Sequence, residues 1–370
     1  MSNPLHGPNF GSYSADEVSW LLTDFSDLTL EADTVLRERQ IQSGKAHYAE
    51  SLPIEFQPDG AYQDLFEVVL AQTAPRLAVS VGVVTELVLA ERGHDIALAS
   101  LARAGTPIGI LMRRWAQQCH GLQLPHYAVS IVRDRGIDSA ALQHLAENHA
   151  PSTVVFVDGW TGKGAITQEL TEALDEYADR TGVRFNPDLA VLADPGHCVR
   201  TFGTRDDFLI ASACLNSTVS GLISRTVLNP ALMRPGDFHG AKFYRELGHA
   251  DRSAAFLDAV TARFDEVRSE VDSQLEALRG ADREPSWSGL QTVRKIQQEY
   301  GIATSNFVKP GIGETTRVLL RRLPWKIVLR DPDAAEHRHI RMLAEARGVP
   351  IDYDPDLAYA CVGLVKDVAS

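Results

Sequence analysis

The chain has 370 residues, 44% of them apolar and 23% charged, with a formal net charge of −13. That length leaves room for two or three compact domains, and the acidic balance excludes nonspecific coating of nucleic acid by the whole chain. No apolar run reaches the roughly 18–20 residues of a membrane span, and "MSNPLHGPNFGSYSADEVSW" lacks the basic start and apolar core of a signal peptide. The four cysteines, Cys119, Cys198, Cys214 and Cys361, show no CxxC spacing. That pattern argues against a disulfide framework or a zinc knuckle and fits a reducing cytoplasm. Residues 285–370 carry 12 Lys and Arg against 10 Asp and Glu, so the preceding 284 residues hold −15. The asymmetry points to a C-terminal module with a separate task.

Residues 1–75 mix polar turns with short helical patterns. "PRLAVSVGVVTELVLAERG" (75–93) is strongly apolar, and its early part reads as a buried strand or a strand–helix unit. In "HDIALASLARAGTPIGILMRRWAQQC" a short apolar run is followed by a turn and a helix. "HYAVSIVRD", "TVVFVDG" and "DLAVLADPG" read as strands. "ITQELTEALDEYADRTG" is an amphipathic helix with Leu170, Leu174 and Tyr177 on one face, closed by Gly182. Strands alternating with helices predict an α/β fold with a mainly parallel sheet and flanking helices. In 255–279, Val260, Phe264, Val267, Val271, Leu275 and Leu278 recur three or four apart, which predicts one long helix. Its apolar face serves either to pack the domain or to form a homodimer. The polar "GADREPSWSG" (280–289) marks a boundary, giving domains at 1–280 and 290–370 with a linker at 281–289.

The glycine-rich turn in "STVVFVDGWTGKGAITQEL" follows a strand and opens a helix. It fails the ATPase P-loop pattern, because Gly164 follows Gly162-Lys163 and Val157 stands where the first glycine is needed. The glycines at 159, 162 and 164 also miss the Rossmann spacing. A short turn of this kind can still bring backbone N–H groups to an anion, with Thr161 and Thr167 as hydroxyl donors. Asp158 at the strand end is placed to hold sugar hydroxyls or a hydrated Mg²⁺. The competing reading is an ordinary strand-to-helix turn.

This segment resembles the phosphoribosyl-diphosphate (PRPP) signature of type I phosphoribosyltransferases. The resemblance implies that Asp158 grips the ribose and, through the substrate, the metal. It further implies that Thr161, Gly162, Lys163, Gly164, Ala165 and Thr167 wrap the 5-phosphate. Gly159 stands where that family has a second acid. "LARAGTPIG" (101–109) resembles the family's diphosphate loop, with Ala102, Arg103, Ala104 and Gly105 forming the turn and Arg103 meeting the leaving diphosphate. "HYAVSIVRDRGID" lies where the family carries a mobile loop over the reaction centre, which implies Arg133, Asp134 and Arg135 as candidates for that loop, Arg133 and Arg135 in catalytic roles.

The wider N-terminal part, on "GSYSADEVSWLL", "IQSGKAHYAESLP", "VDGWTGKGAI" and "DPGHCVRTFGTRDDFLIASACLNSTVSGLISRT", closely resembles the bacterial StiP family, encoded beside tellurium-resistance and stress-response genes. One label attached to that family is cysteine protease, for which Cys198 and Cys214 are the candidates. A cysteine nucleophile needs a base within hydrogen-bond reach. Adjacent residues of a strand face opposite ways, so His197 is not expected to serve Cys198, and His47 or His239 would have to. His197, Arg200 and Arg205 can instead line the acceptor side of a PRPP site.

The C-terminal "KPGIGETTRVLLRRLPWKIVLRDPDAAEHRHIRMLAEARGVPIDYDPDLAYACVGLVKDV" resembles the PELOTA RNA-binding domain, a small α/β/α unit. The resemblance implies that Gly313, Glu314, Thr315 and Arg317 touch RNA. From Arg294 to Arg330 there are eight Lys and Arg and two acids, which suits phosphate contact; a solvated basic face suits them as well. The combined expectation is a cytoplasmic phosphoribosyltransferase-like enzyme in a stress response. It uses PRPP and Mg²⁺ and transfers ribose phosphate to or from a base or nucleoside-like acceptor, with an accessory RNA-binding domain. A PRPP-sensing regulator without turnover and a cysteine protease remain the alternatives.

Overall fold

A computed structural model of the chain describes residues 3–33, 37, 39–41, 43, 47–55, 57 and 60–367. Parts of the "IQSGKAHYAESLP" segment (42 and 44–46) and residues 368–370 of the C-terminal unit lie outside the described residues.

Strand β1 (Ser19–Leu21) is followed by the two-residue strands β2 (Thr23–Asp24), β3 (Glu31–Ala32) and β4 (Leu52–Pro53), then by helix α1 (Gly60–Arg92). The alternating part comes next: β5 (Ala97–Ala102), α2 (Thr106–His120), β6 (His126–Val132), β7 (Gly136–Ile137), α3 (Ser139–Asn148), β8 (Val154–Trp160), α4 (Ala165–Thr181), β9 (Leu189–Ala193) and β10 (Thr201–Thr204). The central sheet runs β1-β6-β5-β8-β9-β10, with every neighbouring pair parallel, and β7 is added antiparallel to β6. The pleat sorts residues to two faces. Leu98, Val155, Val157 and Leu192 join the core beneath α1 and α2. Ala99, Leu101, Phe156 and Val191 join the core beneath α3 and α4. Gly182 closes α4 in the left-handed conformation, as its sequence implies.

The apolar 75–93 stretch is helix, not strand: it is the second half of the 33-residue α1. Its valines lie against β10, α2 and the later helix 264–279. Burial on all sides overrides the β preference of a valine-rich run. α1 is also long and apolar enough to cross a membrane by length and composition, contrary to the run-length argument, yet 61% of its apolar window is buried in the fold. The predicted long helix is two, α5 (Ser253–Thr261) and α6 (Phe264–Arg279), broken by a turn at 262–263. Val260, Phe264, Val267, Val271 and Leu275 are all buried, so this face packs the domain.

After α6 the chain enters α7 (Ser288–Glu299), β12 (Val308–Pro310), α8 (Ile312–Arg321), β13 (Pro324–Leu329), α9 (Arg338–Ala346), β14 (Ile351–Tyr353) and β15 (Cys361–Val365); the intervening β11 (Gly240–Ala241) pairs with β2. The second sheet runs β12-β15-β13-β14. Val328, Val362 and Leu364 face α7, while Ile327, Leu329 and Cys361 face α8 and α9. The latter face merges with the core of the first domain, so the two domains share one apolar interior.

Candidate functional site

Parallel strands leave all their C-terminal ends on one edge. Chain order reverses around β5, with β6 on one side and β8 on the other. The crevice at such a reversal is the usual binding position of an open α/β sheet. Four turns meet along this edge: 103–105 after β5, 133–135 after β6, 161–164 after β8 and 194–200 after β9.

The turn after β9 holds Asp194 and Cys198. The Asp194 carboxylate is fully buried and accepts from the Thr161 hydroxyl and from the backbone N–H groups of Cys198 (2.8 Å) and Val199 (3.3 Å). Arg205 stands 3.0 Å from the same oxygen that accepts from Val199. Burial raises the pKa of Asp194 despite these partners. The Cys198 thiol points at the carbonyls of Gly196 (3.3 Å) and Gly162 (3.8 Å). Burial, with the charge of Asp194 added, pushes it up to about 12. His197 adopts a positive φ of 52° in irregular backbone. The alternation argument against a His197–Cys198 pairing therefore does not apply, because the two are not in a strand. Burial and the charge of Arg205 lower the His197 pKa, which keeps the imidazole neutral at pH 7.

The C-terminal domain covers this nook. Trp287 and Gly289 donate their backbone N–H groups to the carbonyls of His197 (2.9 Å) and Gly196 (3.1 Å), and the Tyr359 hydroxyl donates to the Gly162 carbonyl (3.0 Å). Gly164, with φ at 80°, opens α4, and a Cβ there would lie 2.3 Å from the Trp287 ring. Lys163 donates to the Ser305 carbonyl, and burial followed by the charge of Arg133 lowers its pKa to about 8. Thr161 is buried on Asp194, while Ala165 and Thr167 are partly buried in the first turn of α4. The glycine-rich turn is thus a docking surface for the second domain rather than an open cradle.

A cavity of about 770 Å³ lies between the domains. Arg103, in the turn with Ala102, Ala104 and Gly105, reaches it while donating to the Ile223 carbonyl (2.9 Å). Arg133 and Arg135 reach it from the other turn. That turn is a tight hairpin: the N–H groups of Asp134 and Gly136 are held by the Glu169 carboxylate at 2.7 and 2.8 Å. Asp158 accepts from the N–H of Gly159 (2.7 Å), and burial raises it to about 6. Among the described residues no three His, Cys, Asp or Glu side chains gather to hold a metal. The lone Asp158 donor set does not fit a protein-held Mg²⁺.

Of the residues expected to touch RNA, Gly313, Glu314 and Arg317 face the first domain, while Thr315 is buried within its own, its hydroxyl donating to the Lys309 carbonyl (3.4 Å). A Cβ on Gly313 would meet the Trp160 ring at 2.6 Å, Thr315 is fully buried, and Arg317 stacks 4.4 Å over Trp160. Glu314 lines the cavity and pairs with Arg317 at 2.9 Å; against the pull of burial, Arg317 and Lys309 hold its pKa down to about 2. Arg200 is exposed near Glu91. Cys214 is fully buried in the apolar core, its thiol also pushed up to about 12 by burial. The His239 Nδ1 is paired with the Ser130 hydroxyl (2.8 Å), and its backbone N–H donates to Asp138 (2.6 Å). His47 lines the cavity, which Cys198 does not.

Sequence reading missed Asp194, Arg225, Lys309 and Tyr359. Asp194 ends its strand as Asp158 does, so the same signal marks it. Arg225 carries no local signal, since only the fold brings residue 225 beside Tyr48 and Ser51.

Residues 11–261 match the family described as "Tellurite-like stress resistance cysteine protease StiP", and residues 287–367 match the PELOTA RNA binding domain. The chain is similar to the cysteine protease StiP of Acinetobacter baylyi, 35% identical over 369 residues, covering 96% of this chain and 94% of that protein. These names overturn the phosphoribosyltransferase expectation and with it the transferase class: family and relative are both described as cysteine proteases.

Proposed function

Because this chain belongs to the StiP family, we propose that it is a cysteine peptidase whose nucleophile is Cys198. The observation that carries the choice is placement. Cys198 lies in a turn at the C-terminal edge of the parallel sheet, next to His197 and to the Asp194–Arg205 pair. Cys214 and Cys361 are buried in apolar cores, and Cys119 lies near the C-terminal end of α2. The four cysteines are free thiols, which supports a cytoplasmic setting.

In this reading His197 takes the thiol proton and the sulfur attacks the substrate carbonyl carbon. The C–N bond then breaks as the imidazolium returns the proton to the leaving amine. Water hydrolyses the resulting thioester and regenerates the thiol. With the C-terminal domain seated, the thiol is held protonated and covered, so the described arrangement is a latent one.

Cleavage of denatured casein by wild type and by Cys198→Ala, Cys214→Ala and His197→Ala variants tests the proposal. Loss of at least 100-fold is expected for Cys198→Ala and His197→Ala, with activity retained in Cys214→Ala. Undiminished cleavage by a folded Cys198→Ala would remove Cys198 from the role.

A further inference from the structure

The cavity between the domains carries charge that the peptidase reading does not use. Eight Arg and Lys side chains line it against five Asp and Glu, an excess of positive charge in a chain of net −13. Among the acids, Glu314 is engaged by Arg317 (2.9 Å), Glu55 by Arg103 (3.7 Å) and the N–H of Ser217 (2.7 Å), and Glu50 by the N–H of His47 (3.2 Å).

The cations are left incompletely satisfied. The Lys309 side chain is buried at 5% exposure, with Glu314 as a counter-charge. Burial and the charge of Arg133 lower its pKa strongly. The buried Nε–H groups of Arg133, Arg225 and Arg317 also lack a hydrogen-bond partner. Burial and the neighbouring Arg37 bring Arg225 down to about 9. An unpaired buried donor is costly, more so when charged. Three unpaired guanidinium donors and a buried ammonium around one cavity are poorly accounted for by folding alone, and an anion among them would answer their charge.

We propose that this cavity is a binding site for a compact oligophosphate anion, held by Arg133 and Arg225 of the first domain and by Lys309 and Arg317 of the C-terminal domain. Planar guanidinium groups match phosphate oxygens in pairs, and Lys309 supplies a point charge. A single carboxylate brings too little charge to answer four cations. The volume is that of a small-molecule site rather than of a groove for a polymer. Because ligands come from both domains, the bound anion ties them together. The assignment stands independently of the peptidase reading, since Cys198 does not line the cavity.

The test is calorimetric titration of the full chain with inorganic tripolyphosphate at fixed ionic strength. Binding of one equivalent in the micromolar range is expected. It should weaken at least tenfold in Arg133→Gln and in Lys309→Met. Thermal melts should show tripolyphosphate raising the unfolding temperature of wild type and leaving Arg133→Gln unmoved. No binding by folded wild type, equal binding in both variants, or equal binding of sulfate at the same ionic strength would each overturn the site. Displacement of tripolyphosphate by a short single-stranded RNA would overturn its assignment to a small anion.

Discussion

Asp207 joins the two domains with one carboxylate. Leaving the first domain just after β10, it accepts the backbone N–H groups of Ile312 (2.9 Å) and Ala360 (2.8 Å), and so caps α8 from across the interface. Burial raises its pKa from 3.8 to about 6, with the two N–H bonds opposing. A carboxyl raised on folding contributes stability that is present below pH 4 and lost as pH rises through 6. Asp207→Asn keeps an acceptor without titrating. Its denaturation midpoint is therefore expected to gain on wild type between pH 4.5 and pH 7 in parallel urea titrations. A variant that instead loses ground over that interval would show that the ionised form holds the interface. At this scale the sequence was legible where chemistry is local. Asp158 and Arg103 could be picked from their strand-end positions, whereas Cys198 came only through the family label, beside Cys214. Asp207 and Arg225 could not, because their partners are 105 and 177 residues away.

Helix α1 shows how packing decides an element. A Cβ on Gly82 would fall 2.6 Å from Val271 of α6 and 2.7 Å from the Trp115 ring of α2. Gly82→Ala gains about 1 kcal/mol of helix propensity, but overpacking of this kind costs about 1–3 kcal/mol. A net lowering of the melting temperature is expected in calorimetry, and a rise would mean that the three helices are less tightly fitted. The alternating strands and helices from 97 to 204 were readable because each has its own period and its own turn residues. The second half of α1 was not, since a segment enclosed by its neighbours shows too little polar face to reveal its period. The division of residues 253–279 into α5 and α6 was hidden for the opposite reason. Both helices bury the same stripe, so the apolar spacing runs on through the turn between them.

In the whole molecule the C-terminal domain closes the C-terminal edge of the first domain's parallel sheet. Trp287, Gly289 and Tyr359 hold the 162–164 and 196–197 turns by three hydrogen bonds. A Trp287→Ala, Tyr359→Phe double variant is expected to alkylate at Cys198 with iodoacetamide at least tenfold faster than wild type, read by mass spectrometry of the labelled peptide. An unchanged rate in a folded variant would mean that Cys198 is shielded from within the first domain. The order of the two domains along the chain has a further consequence. A chain made from its N-terminus presents the Cys198 turn well before Trp287, and Tyr359 is added only near the end of synthesis. The thiol is therefore least protected in the newborn polypeptide, and completing the last strand-bearing segment is the event that seals it.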